Sequence, residues 1–190
     1  MIKKSRKTKE TDISIELEIY GSGKYEIDTG IGFFDHMLSS FAKHSLFDLK
    51  IKSIGDLDVD FHHSVEDVGI LLGECIKQTI YPLHGVERFG DSVVTMDEAA
   101  VSVAIDLCNR FYIVYDNIDS GKVGEFDIEL VSEFFRALSL NASMNLHIIK
   151  LRGNNAHHII EATFKAVAVA LRRALCKNDR VEIPSTKGVL

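Results

Sequence analysis

An internal repeat limits the fold of this chain more than any other feature of its sequence. The segment "GFFDHMLSSF" in the first half is similar to "EFFRALSLNA" in the second half, and "IKSIG" is similar to "IKLRG". Each of these "IKxxG" segments is followed within a few residues by His-His-x-x-Glu. The sequence therefore predicts one structural unit that occurs twice, with a boundary near residues 81–88.

Hydrophobic periodicity predicts the secondary structure of the first unit. Apolar residues alternate with polar ones over residues 13–19, which indicates a half-buried strand. The Gly-Ser-Gly sequence at 21–23 predicts a turn into a second strand at 24–28. The remaining elements of this unit are predicted as a helix at 32–44, a strand at 49–53 and a helix at 64–80 that ends before Pro82.

The second half repeats this order, so the whole chain is predicted as a duplicated β-β-α-β-α unit. Hairpins and right-handed crossovers favour an α+β fold with the helices packed on one face of a mixed sheet. Because there are only two prolines and no linker-like stretch, we expect a single domain built from two repeats, about 1–86 and 87–190. The predicted elements of the second unit are strands within 91–107 and at 110–116, a helix at 128–143, a strand at 146–152 and a helix at 157–175.

Composition restricts the possible partners and location of the protein. A hydrophobic content of 46% and a charged content of 26% are typical of a soluble globular protein. The formal net charge of −6 counts against nucleic acid or a membrane as a partner, and no apolar stretch has membrane-spanning length. No apolar segment follows the basic N-terminal "MIKKSRKTKE", so no signal peptide is predicted. Three widely spaced cysteines argue against a disulfide framework, and we expect a cytoplasmic protein.

Two adjacent histidine pairs, each followed by a glutamate at the same offset, predict metal binding. One such pair alone is more often structural, but two pairs at matching points of a repeat favour a metal site. Residues three or four positions apart share a helix face, so each glutamate can meet a histidine of its own pair. Neighbouring residues point about 100° apart, so each pair is expected to serve two separate ions. With two further histidines near enough in the pattern to complete the sites, the predicted ligands of two ions are His36, His62, His63, Glu66, His147, His157, His158 and Glu161.

These ligands are compatible with several metals. Imidazole and carboxylate ligands without cysteine fit manganese, iron, cobalt, nickel or zinc, rather than calcium or magnesium. His44 and His84 belong to no such pattern and are interpreted as structural. Four aspartates near the histidines are candidates to orient the imidazole rings, although turn formation or solvation explains them equally well. These aspartates are Asp35, Asp58, Asp60 and Asp67.

Several basic residues form a second group of candidates, for anion binding. Arg88, Arg110, Arg152 and Lys187 all adjoin glycine, asparagine or turn-like residues instead of lying in the middle of a helix. The segment "PSTKG" near the C-terminus combines hydroxyl groups with lysine and glycine, which is what a loop that binds phosphate needs. Together these residues predict a phosphorylated substrate beside the metals.

Segments spread along the whole chain carry a family resemblance: "TKET", "TGIGFFDHML", "GDLDVDFHHSVEDVGI", "MDEA", "FDIELVSEFFRA", "LRGNNAHHIIEATFKA" and "PSTKGVL". In these segments the chain resembles the imidazoleglycerol-phosphate dehydratases, lyases of histidine biosynthesis, from about residue 5 to residue 190. The resemblance implies a fold of the ribosomal protein S5 domain 2 type. It also implies a 24-subunit homo-oligomer with active sites between subunits and two Mn(II) ions per subunit.

The resemblance also implies roles for individual residues. The eight predicted ligands would hold the two ions, and Glu66 and Glu161 would also be catalytic carboxylates. Glu10 would contact the substrate, or act as an acid–base group, from a neighbouring subunit. The phosphate would be held by Arg88, Arg110, Ser185 and Lys187. The chain departs from the family at residues 109–111, where it has Asn-Arg-Phe instead of the usual Gly-Arg-Pro, and at Ser64, where threonine is usual.

The implied reaction, performed by a hydro-lyase, converts imidazole glycerol phosphate to imidazole acetol phosphate. The imidazole ring is the only electron sink of this small phosphorylated substrate, and an ion on each ring nitrogen would stabilise an imidazolate intermediate. A dinuclear metallohydrolase with the same ligands and a bridging water is the main enzymatic alternative. A metal-binding or RNA-binding module is a second one, although the negative charge and the lack of interleaved aromatic and basic residues count against RNA.

Overall fold

The computed structural model describes residues 1–116 and 120–188, and each half of the chain forms its own sheet. Residues 117–119 and 189–190, the latter being the end of the "PSTKGVL" segment, lie outside the described residues. The elements of the first half are β1 (Ile2–Lys7), β2 (Thr11–Glu18), β3 (Tyr25–Asp28), α1 (Gly32–Ser45), β4 (Asp48–Gly55) and α2 (His62–Ile80). Those of the second half are β5 (Phe89–Met96), β6 (Ala99–Asp106), β7 (Tyr112–Tyr115), β8 (Lys122–Val123), β9 (Phe126–Asp127), α3 (Leu130–Ala142), β10 (Asn145–Arg152) and α4 (Ala156–Ala174).

The two halves have the same sheet topology. The strand order is β1-β2-β4-β3 in the first sheet and β5-β6-β10-β7 in the second. In each sheet the first three strands of this order are antiparallel and the last one is parallel to its neighbour, across a connection that contains α1 or α3. The predicted α+β class and the duplication are therefore confirmed, with one mixed sheet in each half.

The first half contains one strand more than predicted, because β1 was not expected. Its alternation of partly buried and exposed residues carries little apolar signal. Instead of burying apolar side chains, β1 contacts α2 through ion pairs of Lys4 with Glu74 and of Arg6 with Asp67. The predicted hairpin between residues 13–19 and 24–28 is wrong, because β4 lies between β2 and β3.

The helices of the two halves pack against each other across the repeat. Helix α2 covers the first sheet and α4 covers the second, while α2 also contacts α3 and α1 contacts α4. Glycine permits the close approach of α2 and α3, because a Cβ atom at Gly73 would lie 2.6 Å from the carbonyl oxygen of Leu138. Buried residues from both halves form one hydrophobic cluster between the elements. For function, the important contact is that of α1 with α4, since both helices carry predicted metal ligands.

Within the described part of the chain, the structure contains no helix with the length and apolarity needed to cross a membrane.

Candidate metal centre

Three predicted ligands meet where α1 lies against the start of α4. The Nε2 atom of His157 is 3.3 Å from the Oε2 atom of Glu161, and the Nε2 atom of His36 is 3.4 Å from the same oxygen. One ligand atom of each of the three side chains lies within 4.8 Å of the other two. Two imidazole nitrogens and one carboxylate oxygen at this spacing form a set that a divalent transition metal would bind.

The start of α4 gives this cluster its geometry. The side chain of Asn155 caps the helix by accepting hydrogen bonds from the backbone N–H groups of His157 and His158. The helix therefore begins just before the histidine pair, which places His157 and Glu161 one turn apart on the same face. That face is turned toward α1, where His36 completes the cluster.

Lys165 holds the second oxygen of the Glu161 carboxylate. Its Nζ atom lies 2.7 Å from Oε1, and the Glu161 side chain is only 9% exposed. Burial opposes the ionisation of Glu161, but Lys165, His36 and His157 together lower the pKa of its carboxyl below the usual value. Sequence reasoning missed Lys165, although its position four residues after Glu161 on a helix was a usable signal.

The first half contains a similar but looser pair. The Nε2 atom of His62 is 3.6 Å from the Oε2 atom of Glu66, one turn further along α2, and both side chains are more than two-fifths exposed. Among the described residues, no other histidine joins this pair to form a second group of three ligands. The two halves thus differ, because His36 comes from the first half and serves the pair of the second.

The second histidine of each pair points away from the first. The ring centroids of His62 and His63 are 6.4 Å apart at 85°, and those of His157 and His158 are 6.2 Å apart at 78°. This divergence is what helix geometry predicts for neighbouring residues. Adjacent imidazoles therefore do not share one ion in this structure.

Carboxylates contact the Nδ1 atoms of the two diverging rings. The Nδ1 atom of His63 is 3.0 Å from Asp56, and its Nε2 atom is 3.9 Å from Glu10. The hydrogen bond to Asp56 raises the pKa of His63. The Nδ1 atom of His158 is 2.7 Å from Glu98, and this contact, with backbone N–H groups, lowers the pKa of Glu98 to about 2.

His147 is a predicted ligand that lies outside the three-ligand cluster. It occupies β10 and points to the exposed face of the second sheet, with its ring centroid 6.1 Å from that of Tyr112. The helices lie on the opposite face of this sheet. A single chain therefore does not bring His147 to the cluster of His36, His157 and Glu161.

Comparison with known proteins shows to which family the chain belongs. The profile of the imidazoleglycerol-phosphate dehydratase family matches residues 29–171. The chain belongs to this family. It is 68% identical to the imidazoleglycerol-phosphate dehydratase of Campylobacter hominis over 190 residues, with full coverage of both chains, and 68% identical to that of Campylobacter curvus over 191 residues, covering 100% of this chain and 98% of that one. The prediction of a hydro-lyase is thereby confirmed.

Solved structures of imidazoleglycerol-phosphate dehydratases share the fold. The enzyme from Staphylococcus aureus aligns with a TM-score of 0.82 at 38% identity, covering 93% of this chain and all of the other. The enzyme from Pyrococcus furiosus, in complex with (S)-C348, aligns with a TM-score of 0.86 at 38% identity, covering 98% of this chain and all of the other.

The Asn-Arg-Phe sequence at 109–111, where the resemblance implies Gly-Arg-Pro, forms a turn whose backbone conformation asparagine can adopt. Asn109 has a φ of 55°, in the left-handed region. Asparagine is one of the few residues other than glycine that adopts this conformation readily. The turn before β7 therefore keeps Arg110 exposed on the surface, as the predicted role in phosphate binding requires.

The other predicted phosphate ligands of this dehydratase are only partly brought together. The Arg88 guanidinium binds both carboxylate oxygens of Asp106, at 2.6 and 3.0 Å, which raises the pKa of Arg88. It also donates to the carbonyl oxygen of Pro184 at 2.7 Å, and so fastens the segment that carries Ser185 and Lys187. Lys187 is exposed and Ser185 is partly buried, while Arg152 is exposed at the end of β10.

Two explanations were open for four aspartates near the histidines, and the structure does not favour the one in which they orient the imidazole rings. Asp35 accepts hydrogen bonds from Thr29, and Asp67 is turned toward β1 and β2, where Arg6 and Thr11 bind it. Asp60 accepts from the backbone of His62, not from its ring. Within the described residues, no imidazole ring lies within bonding distance of these carboxylates, which are Asp35, Asp58, Asp60 and Asp67.

The histidines interpreted as structural lie outside the three-ligand cluster. The backbone carbonyl of His44, in the last turn of α1, accepts a hydrogen bond from Arg172 at 3.0 Å. Burial and the nearby cations Lys165 and Arg172 lower the pKa of His44. His84 lies after α2, beside Pro82 and Gly85.

Proposed function

We propose that this protein dehydrates imidazole glycerol phosphate to imidazole acetol phosphate in histidine biosynthesis, at a centre with two Mn(II) ions per subunit. The observation that carries the proposal is the cluster of His36, His157 and Glu161, in a chain of this family. The Oε2 atom of Glu161 faces two imidazole nitrogens, while Lys165 binds only Oε1. A buried carboxylate oxygen between two nitrogens fits a divalent cation, and the absence of thiolate ligands favours manganese over softer metals.

The ligands divide into groups held by different chains in this proposal. His36, His157 and Glu161 hold one ion, and His62 with Glu66 supplies part of the second site. Three histidines remain. The rings of His63 and His158 diverge from those of their neighbours, and His147 lies on another face, so in this proposal all three serve sites that neighbouring subunits complete. Bound manganese would act as a Lewis acid on the substrate ring and stabilise its imidazolate form.

In this proposal, carboxylates of the chain carry out the proton transfers of the dehydration. Dehydration removes the C3 hydroxyl as water and the C2 hydrogen as a proton, and the resulting enol becomes the ketone. Glu10 is exposed at the β1–β2 turn, 3.9 Å from the Nε2 atom of His63, so a neighbouring subunit's substrate can reach it. We assign Glu10 to acid–base chemistry, and Glu66 and Glu161 to the metal-binding carboxylates that face the ring.

The phosphate is held at the C-terminal segment in this proposal. Lys187 and Arg110 are exposed cations without a carboxylate within 4 Å in the described residues, and Ser185 offers a hydroxyl. Arg88 uses three of its five N–H donors for Asp106 and Pro184, which leaves two for a phosphate oxygen. Arg88 would thus bind the anion and hold the loop at the same time.

The exposed face of the second sheet supports assembly with further copies of this chain, and a 24-subunit particle is the assembly we propose. His147 lies on this face beside small and apolar residues: Ala104 is exposed, Val93 is 62% exposed and Tyr112 is 59% exposed. A monomer would leave these side chains in water and His147 without a partner ligand. The outer face of the first sheet carries charge pairs instead: Lys3–Glu16, Lys50–Glu26 and Lys52–Asp28.

Free thiols agree with the proposed cytoplasmic location. Cys75 and Cys108 are buried and Cys176 is exposed, and none of the three forms a disulfide within the described residues.

One incubation tests the proposed reaction against its rival. Purified protein with Mn(II) and imidazole glycerol phosphate should produce imidazole acetol phosphate and leave inorganic phosphate at background. A metallohydrolase would release inorganic phosphate and form no ketone. Elemental analysis of the same sample should give about two manganese ions per chain, as the proposed ligand sets require. Release of phosphate, or a ratio near one in fully active protein, would contradict the proposal.

A further inference from the structure

The two diverging histidines share an arrangement that their neighbours lack. The Nδ1 atom of His63 lies 3.0 and 3.2 Å from the two oxygens of Asp56, and that of His158 lies 2.7 Å from Glu98. The first histidine of each pair has its Nε2 atom near the glutamate one turn later. Only the second histidine of each pair has its Nδ1 atom next to a carboxylate.

Glu98 is itself held in place from a second direction. While its Oε2 atom contacts His158, its Oε1 atom accepts hydrogen bonds from the backbone N–H groups of Asn154 at 3.2 Å and Asn155 at 2.9 Å. The β5–β6 turn is thus tied to the loop that starts α4. Since both oxygens are used, the carboxylate has a fixed orientation toward the ring.

Asp56 is placed in a similar way between β4 and α2. Its backbone N–H donates to the carbonyl of Glu10 at 3.1 Å, and its carbonyl accepts from Val59 at 2.9 Å. The Asp56 side chain is 27% exposed, and the His63 side chain is 33% exposed. This turn therefore links the carboxylate that contacts His63 to the β1–β2 turn that carries Glu10.

The repeat does not explain why both histidines have this contact. Asp56 follows β4, whereas Glu98 comes just before β6. The residue of the first half that corresponds to Glu98 is Glu10, just before β2, and it lies 3.9 Å from the Nε2 atom of His63 instead. The carboxylates of Asp56 and Glu98 thus contact the Nδ1 atom of their histidine from different places in the fold. This indicates that both sites require a carboxylate at Nδ1.

We propose that Asp56 and Glu98 are positioning residues that hold the proton of His63 and His158 on Nδ1 and direct the Nε2 lone pair of each ring toward an ion. A neutral imidazole that donates from Nδ1 has its acceptor nitrogen at Nε2, so the carboxylate selects both the tautomer and the ring orientation. The role of these carboxylates in metal binding rests on the proposed function. The assignment of the tautomer rests only on the contacts of the Nδ1 atoms with the carboxylates.

The first experiment therefore uses protein stripped of metal. Solid-state NMR of protein labelled with ¹⁵N-histidine distinguishes Nδ1–H from Nε2–H rings, at about pH 9 where imidazoles are neutral. Asp56→Ala and Glu98→Ala should each remove one Nδ1–H signal. Asp12→Ala is the matched control, because Asp12 pairs with Lys7 and contacts no ring. Unchanged Nδ1–H signals in both variants would overturn the proposal.

The second experiment measures manganese binding by equilibrium dialysis. Loss of such a carboxylate should weaken one class of site by about 10–100-fold, while the other class and the Asp12→Ala control stay unchanged. Glu98→Gln tests the geometry further, because an amide retains one acceptor oxygen and cannot serve both His158 and the backbone N–H groups. Glu98→Gln should bind manganese with an affinity between those of the native protein and of Glu98→Ala. If Glu98→Ala does not fold, Glu98→Gln takes its place in both experiments.

The outcomes separate this proposal from the proposed function. Loss of the Nδ1–H signals with unchanged manganese affinity would overturn the positioning role. Native protein that binds no manganese would instead overturn the proposed function, while the NMR result would still decide whether these carboxylates set the tautomers.

Discussion

At the scale of residues, Glu161 is the most constrained carboxylate of the candidate centre. Lys165 binds one of its oxygens, and two imidazole nitrogens face the other. Glu66 has no such lysine, because Ile70 stands at the position four residues later. The two glutamates of the repeated motif are therefore expected to differ, with Glu161 held as a fixed ligand and Glu66 free to change its orientation.

The Lys165 contact gives a direct prediction about metal affinity. Lys165→Met should weaken manganese binding at the cluster by roughly tenfold to a hundredfold, since a charge-assisted hydrogen bond contributes about 1.5–3 kcal/mol. Lys165→Arg keeps the charge and should retain part of the affinity. A manganese titration followed by electron paramagnetic resonance measures both. Equal affinities for Lys165→Met and the native protein would show that Lys165 does not support the ligand.

Lys187 should contribute to substrate binding and not to metal binding. If it binds the phosphate, Lys187→Ala should raise KM by roughly tenfold to a hundredfold for the same electrostatic reason, with an unchanged manganese content. Steady-state kinetics and elemental analysis of one preparation give both numbers. Lys122→Ala, which removes an exposed lysine that pairs with Asp127, is the control and should behave as the native protein. A normal KM for Lys187→Ala would remove Lys187 from the site.

Residue spacing predicted the parts of the site that lie within one helix. The pairs His62–Glu66 and His157–Glu161 follow from a spacing of one turn, and the divergence of adjacent rings follows from helix geometry. Glu98 and His158 are 60 residues apart in the sequence, so no local pattern could pair them. The aspartates named as candidates for orienting the rings fail for the same reason, because Asp60 lies close to the histidines in sequence but accepts a hydrogen bond from the backbone.

At the scale of elements, the helices were predicted well and the strand pairing was not. The expected helix at 32–44 corresponds to Gly32–Ser45, because an amphipathic pattern over several turns is a strong signal. The pairing of β3 with β4 depends on the crossover through α1, which the alternation of residues within a strand does not specify. The edge strand β1 was missed because ion pairs between side chains, and not apolar contacts, attach it to α2.

The contact of α2 with α3 provides a prediction about stability. Gly73→Ala should destabilise the protein by about 1–3 kcal/mol, because the new methyl group would meet the backbone of α3 and overpack the interface. Gly32→Ala is a matched control in α1, where a Cβ atom would have no neighbour within 4 Å. It should be neutral or stabilising by up to about 1 kcal/mol, from helix propensity alone. Urea unfolding followed by circular dichroism compares the two, and equal stabilities would contradict the close packing.

At the scale of the whole molecule, the interleaved helices predict that the two repeats fold together. The first sheet is covered by α2, which packs on α3 of the second half, and the hydrophobic cluster contains residues of both halves. We expect residues 1–86 produced alone to lack a stable fold, because they would expose the surface of α2 that α3 covers. Circular dichroism and proton NMR of this fragment are the measurement. A folded fragment with cooperative unfolding would show that each repeat is a domain.

The position of His147 predicts that metal and assembly are coupled. This histidine lies on the outer face of the second sheet and outside the cluster of His36, His157 and Glu161, so in the proposed assembly the ion that it binds is shared with another chain. An ion bound only by assembled chains stabilises the assembly by mass action. Removal of metal by a chelator should therefore reduce the particle size and abolish dehydration together, and Mn(II) should restore both.

Light scattering during chelation and metal addition follows this coupling directly. His147→Ala should weaken reassembly by manganese, whereas His84→Ala, which changes a histidine outside all the predicted sites, should reassemble as the native protein does. The comparison separates the loss of a bridging ligand from a general effect of removing an imidazole. If the metal-free protein keeps its full mass and regains activity without any change in size, the ions serve the chemistry alone and the outer face of the second sheet is held by its apolar side chains.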